Sequence, residues 1–592
     1  MRWTPLFPAS ILACGLLAAP NPAQPLPQRT FRQWIGGQEA GGASLDIRAD
    51  GPGQVAVSHE WLTLSREGSA IRQDMEETVH RAPDGSLAFA WKVQLSREPF
   101  EGTATWSPQA PGVLRLVPKN GAPVTQPVPA GALLWPGDLE ARYRQAARLR
   151  RPLLAVTYSF PLQQWSTVAL QPQGPDPLPG FPDAIHFRGQ ETDGTVRSPL
   201  ESWISPVAGE VRQTGRLGAL PFLVQRTGLP VPAQAPATTG FFERTLQPLA
   251  PNPFLPWLPE VILRATGGTA PLPEDAQQQR LPDGRWRLRR PQPPTPAEAA
   301  EAPVTGTPSA LDAPYLAASP LVPFRDPAFD GLLRRMALPP GLSRWQLTQR
   351  VMDFVFDWIT EKDYSVGFAS ALEVCHHPAG DCTEHGVLAV ALLRKLGVPS
   401  RGVVGWVAVD GLIGLHFWVE VKLADRWVPV DPTFDQAPAS AFRIKLADSD
   451  LADLGSVGWD SAATALQGLV WRPESWEAGI RIAGDQVTAP DGSRLQVPGG
   501  RWRLAGGILT LTTAHGGPWA VEATTRPDPS DRVGARHLAG ARTQQKGWWS
   551  PASRALWVEL PQGRWLLVSG VSESESFLLL DQLEVATARS GN

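Results

Sequence analysis

Gly380-Asp381-Cys382-Thr383-Glu384-His385 is the stretch on which the reading of this chain turns. Asp381, followed three residues later by Glu384, is a capping-box signature. The run from Gly386 to Leu396 is almost wholly apolar until Gly397 and Pro399 stop it. The spacing predicts a buried helix with Cys382 in its first turn, where backbone N–H groups lack intrahelical partners and the dipole is positive. A thiol so placed is favoured as its thiolate. Downstream, His416-Phe417-Trp418-Val419-Glu420-Val421 and the segment from Arg426 to Thr433 read as two strands, with Ala424-Asp425 as the turn of a short hairpin. A two-residue turn puts His416 and Asp431 on one face, within diagonal reach. Cys, His and Asp in that order supply a nucleophile, its base and the group that orients the base.

The run GDCTEHGVLAVALLRKLGVPSR at 380–401, HFWVEV at 416–421, RWVPVDPTFDQ at 426–436 and FRIKL at 442–446 together closely resemble the bacterial transglutaminase-like, papain-related cysteine enzymes. The resemblance spans residues 343–450. It implies an α+β papain-like core with Cys382 as nucleophile, His416 as general base and then acid, and Asp431 as the orienter of His416. The expected activity is thiol-dependent acyl transfer on amide bonds of peptides or proteins, cell-wall peptide included. Water as acceptor makes a peptidase or amidase, and an amine makes a transglutaminase. No cofactor and no metal are implied. Phe417 departs from the family pattern, where small residues are common, and is expected to alter access beside the histidine.

Length and composition agree with a larger assembly around that core. A chain of 592 residues exceeds one hydrophobic core, so several domains are expected. A net charge of −3 argues against a general nucleic-acid binder. The 62 prolines, 55 glycines and 24 tryptophans point to many turns and aromatic-rich strands. Cysteine occurs only at 14, 375 and 382, which excludes a disulfide scaffold.

Residues 1–19 read as a secretory signal, with Arg2 ahead of a short apolar stretch from Ile11 to Leu17 and cleavage near Ala18-Ala19. The expected location is extracytoplasmic, periplasmic or secreted. Ile11-Leu12-Ala13-Cys14-Gly15 also fits a lipoprotein cleavage box, with Cys14 as a lipid anchor. The alternative is a cysteine discarded with the leader. No later segment has the ~18 apolar residues of a membrane span.

From about 30 to 265 the pattern alternates with period two, as in Gln54 to Ser65 and Leu87 to Leu95, and predicts an antiparallel β-rich domain. Within it the basic stretch from Leu139 to Arg151 reads as a short helix with a solvated arginine face. Residues 266–315 are rich in Pro and Ala and read as a linker, extended and mobile at 290–296, with Gly284 to Leu288 as a last strand of the first domain. The catalytic domain is placed at 316–460. There Ser343 and Gln346 form a second capping box, ahead of an amphipathic helix that ends before Tyr364, and residues 365–381 form a loop approaching Cys382. Residues 461–592 form a second β-rich flank.

Three other readings compete. Cys375, His376, His377, Cys382 and His385 lie close enough together to suggest zinc, although adjacent histidines and Pro378 break the usual ligand spacing. A Cys375–Cys382 disulfide would consume the nucleophile and so mark an off-state. A non-enzymatic binding module on the same fold has no need of an intact Cys–His–Asp set. Tryptophans 406, 418 and 427 read as core before they read as cleft.

Overall fold

The computed structural model describes residues 29–586 apart from 67–68, 120, 122, 161–162, 194–195, 218–219, 232–245, 268–271, 362–367, 410, 453–468, 475–478, 529–531, 533, 541–544 and 561–563. Residues 1–19, expected from the sequence to be a signal segment, and Cys14 within them lie outside these residues. Antiparallel sheets dominate, with a few helices.

The alternating N-terminal sequence forms a sheet of fourteen strands among the described residues. The strands from Arg29–Ile35 to Val124–Pro127 each pair with the next, as do those from Leu153–Ser159 to Leu220–Arg226, and the last of all pairs with the first. Leu87–Gln94 shows the cause plainly, since its side chains alternate strictly between buried and exposed. Helix α1 (Pro136–Leu149) packs on the strand that follows it, Leu153–Ser159, and on Val196–Ser205 and Gly209–Leu217. The expected solvated arginine face is corrected at Arg144. This residue is buried, and it donates to Glu140, which also accepts from Arg29 at 2.8 Å. The Glu140 carboxylate lies wholly inside and needs both cations to balance it.

The stretch 266–315 lies along the core. Trp286–Arg289 pairs with Glu260–Thr266 and Gln278–Arg280, and Glu260–Thr266 pairs in turn with Val470–Glu474. The Pro-rich segment ends in a capped turn at Thr295, where Glu298 accepts from Arg426 at 2.6 Å. Glu301 accepts from the backbone of Ala424 at 2.8 Å and from Arg344 at 3.2 Å. Proline spacing conceals these anchors, because they depend on long-range ion pairs.

The transglutaminase-like stretch builds three helices and a sheet. Helix α2 (Arg344–Trp358) starts at the Ser343–Gln346 capping box and packs on helix α4 (Cys382–Lys395). The approach to Cys382 is not wholly loop, since helix α3 (Ala371–His376) occupies part of it, capped by Ser370. Strands β1 (Ser400–Val409), β2 (Leu412–Leu423), β3 (Arg426–Val430) and β4 (Arg443–Ser449) form the sheet, with β1 between β2 and β4 and with β3 on β2. Helix α4 packs on β1 and β2 with nearly every side chain buried, as its unbroken apolar run requires.

The N-terminal sheet is docked onto α3 through one carboxylate. Glu373 is buried and accepts from Ser96 Oγ at 2.6 Å and from the N–H groups of Arg97 and Glu98 at 2.9 and 3.1 Å. C-terminal to the core, seven strands among the described residues between Arg501 and Ser569 make another sheet, whose interior also takes up Phe254 and Trp257.

Candidate active site

Helix α4 begins as a capped turn. Asp381 Oδ1 accepts from the N–H and the hydroxyl of Thr383, both at 2.8 Å. Glu384 reaches back with Oε2 to the Asp381 N–H at 2.9 Å, and with Oε1 it accepts from the Ala369 N–H at 3.0 Å. Gly380 precedes the cap at φ 148°, and a Cβ there would lie 2.4 Å from the Glu384 side chain. This packing holds the first turn, and Cys382 stands in it half-buried with a free thiol.

The hairpin delivers the other two residues. Val419 pairs with Val430 and Leu423 with Arg426, so His416 and Asp431 take diagonal positions, as a two-residue turn demands. His416 Nε2–H donates to Asp431 Oδ2 at 2.8 Å. The Cys382 side chain also acts on this imidazole and favours its charged form. All three residues expected from the sequence are therefore brought together.

Charge in the cluster is strongly biased. Burial opposes an imidazolium at His416, but Asp431 and then Cys382 outweigh it, and the pKa is pushed up to about 9. Burial would raise Asp431, yet the charges of His416 and Arg443, with their hydrogen bonds, hold it well below the usual carboxylate range. Phe434 stacks on His416 with ring centroids 5.2 Å apart, while Trp418 lies nearly parallel to it at 6.3 Å.

Arg443 is the residue that sequence reasoning missed. It is buried and donates through Nη2 to Asp431 Oδ2 at 2.5 Å and to Gln436 Oε1 at 2.9 Å. Asp431 Oδ1 accepts from the Thr433 N–H at 3.0 Å. The signal was present in FRIKL at 442–446, where an arginine interrupts a strand otherwise bound for the core.

Phe417 does not border the histidine side. It is 2% exposed and points into the core, where its ring occupies the space that a Cβ at Gly386 or Gly402 would take, with approaches of 2.3 and 2.4 Å. The expectation that it alters access is corrected, because adjacent residues on a strand face opposite ways. Trp406 and Trp418 are buried, and Trp427 lies under Arg401 at 4.2 Å.

The zinc alternative fails on placement. His385 sits inside α4 with Nδ1 donating to the Asp381 carbonyl at 2.6 Å, and His376 faces Glu98 at 3.7 Å. Among the described residues no group of three or more His, Cys, Asp or Glu is arranged to hold a metal ion. Cys375 is a free, buried thiol within α3.

Residues 340–432 match the family model of the transglutaminase-like superfamily, which includes Cys382, His416 and Asp431. The chain carries a transglutaminase-like core. Among curated proteins none matches it. Three solved structures are similar to parts or most of the chain. A beta-barrel-like protein with a domain of unknown function from Brucella abortus shares 10% identity, at a TM-score of 0.27, over 35% of this chain and 97% of its own. A candidate cysteine protease from Cytophaga hutchinsonii shares 14% identity at a TM-score of 0.21, over 39% and 84%. A candidate protease from Parabacteroides distasonis shares 12% at 0.17, over 85% and 96%. These likenesses are slight, and the assignment of the transglutaminase-like core rests on the match at 340–432.

Proposed function

We propose that the protein is a thiol-dependent acyl-transfer enzyme acting on amide bonds of peptides or proteins, built on a papain-like α+β core. The observation that carries this reading is the position of His416, hydrogen-bonded to Asp431 and near enough to Cys382 for the Cys382 side chain to act on its charge. His416 holds the Cys382 proton as an imidazolium, and sulfur attacks the amide carbonyl carbon. The Cys382 N–H, in the first turn of α4, is one donor for the developing oxyanion. The C–N bond breaks as His416 returns the proton to the leaving amine, and a thioester remains. His416 then removes a proton from the acceptor. Water yields a carboxylic acid and an amine yields a new amide, and both routes share the acyl-enzyme.

Two tests are run on separate samples: alkylation of Cys382 by iodoacetamide at neutral pH, and, on protein that has not been alkylated, mass analysis of acyl-enzymes trapped from a peptide mixture. A thioester adduct on Cys382 is expected. Absence of an adduct, with Cys382 no more reactive than a free thiol, would sink the reading.

A further inference from the structure

A cavity of about 730 Å³ lies between α2, the loop after β3 and the seven-stranded sheet. Phe434 lines it and also stacks on His416, so the cavity adjoins the site described above. Its walls differ in charge balance. Toward α2 carboxylates predominate: Arg526 pairs with Asp357 at 2.8 Å and Asp435 at 3.1 Å, Arg532 pairs with Asp357, and Asp353 also lines the wall and acts on Asp435. Toward the C-terminal sheet, Arg290 and Arg564 both reach the lining and repel one another. Asp491 is the carboxylate that acts on both. Glu559 and Arg350 reach the cavity from exposed positions.

Arg564 is 8% exposed. Its Nη1 donates to Asp491 Oδ2 and Ser493 Oγ, each at 2.7 Å, and its guanidinium lies over Trp257 at 4.8 Å. Its Nε and Nη2 have no acceptor among the described residues. Arg290, half-buried, feels the charges of Asp491 and Arg564. Burial pulls both guanidiniums below their ordinary basicity. Two cations share one carboxylate, and the buried one, Arg564, has Nε and Nη2 unmet, a costly arrangement in the absence of an anion. A planar guanidinium fork matches a carboxylate in shape and charge.

We infer that this wall of the cavity binds a carboxylate group of the peptide substrate, through Arg290 and Arg564. The inference rests on the acyl-transfer reading for the nature of the substrate, and on the cavity alone for the anion.

The test uses the full chain carrying Cys382→Ala. Arg290 is modified with phenylglyoxal and followed by peptide mass mapping, with N-acetyl-alanyl-alanine, its C-terminal amide or inorganic phosphate present. The carboxylate dipeptide is expected to slow Arg290 modification about tenfold, as a charge-assisted pair would, and the amide is expected to leave it unchanged. Calorimetry should show Arg290→Gln weakening the carboxylate dipeptide by a similar factor without touching the amide. Arg290→Gln is preferred to an Arg564 variant, because Arg564 also ties Asp491 and Ser493 together. Equal protection by the amide, no protection at all, or protection by phosphate as strong as by the carboxylate overturns the inference. Cys382 alkylation in the wild type is scored separately. Failed labelling with Arg290 protection intact removes the acyl-transfer reading alone, and the reverse pattern removes the carboxylate site alone.

Discussion

Arg443 and His416 donate to the same oxygen, Oδ2 of Asp431, at 2.5 and 2.8 Å. The carboxylate is wholly buried, so the guanidinium both balances its charge and fixes the oxygen that positions the imidazole. Arg443→Gln is expected to lower kcat and to destabilise the fold by ~3–5 kcal/mol, the usual cost of stranding one partner of a buried pair. The acid limb of the pH–rate profile should move upward, since Asp431 loses a cation that favours its charged form. Unchanged profile and stability would remove Arg443 from the positioning role.

The three site residues should differ in cost. Cys382→Ala is expected to abolish turnover without unfolding the protein. Asp431→Asn should lower kcat ~10⁴-fold by analogy with other triads, and His416→Ala should lower it further, because His416 moves protons in both half-reactions. Single-turnover rates across pH 5–9 decide the order.

Stability should depend on pH through His416. Its folded pKa of about 9 lies above the ordinary imidazole value of 6.5. The stabilisation is therefore complete below about pH 6.5 and is lost as pH rises through about 9. A gap of this size corresponds to about 3 kcal/mol. Urea denaturation of wild type and His416→Gln at pH 6 and pH 9.5 measures it, and wild type should lose more on going to the higher pH.

The two described cysteines should react unequally. Burial, with Asp326 adding to it, pushes Cys375 up to about 11, so its thiolate is scarce at neutral pH. Iodoacetamide at pH 7.5 is expected to modify Cys382 and to spare Cys375 until the protein is unfolded. Cys375→Ser should keep most of the activity. Mass mapping of the alkylated peptides provides the check.

Gly386→Ala should be costly even though alanine favours helices. The added methyl would meet the Phe417 ring at 2.3 Å, and overpacking of this kind costs ~1–3 kcal/mol. Trimming the ring in Gly386→Ala/Phe417→Leu should recover part of the loss. A double-mutant cycle with purely additive effects would show that the two sites are not in contact.

The sequence by itself determined the capped start of α4, the hairpin that sets His416 diagonal to Asp431, and the period-two strands of the N-terminal sheet. Each depends on neighbours within a few residues or on a strict side-chain period, so the order of residues is enough. Tertiary structure decided the rest. Arg144 looks like a surface residue until Glu140 and Arg29 are seen beside it, Glu301 reaches across the chain to Ala424, and Phe417 makes sense only against Gly386 and Gly402. Arg443 becomes part of the site only when β4 pairs with β1 and brings it to Asp431. Glu140 and Arg144 stand one helical turn apart, but their burial and the approach of Arg29, like the reach of Glu301 and of Arg443, depend on packing that no local pattern encodes.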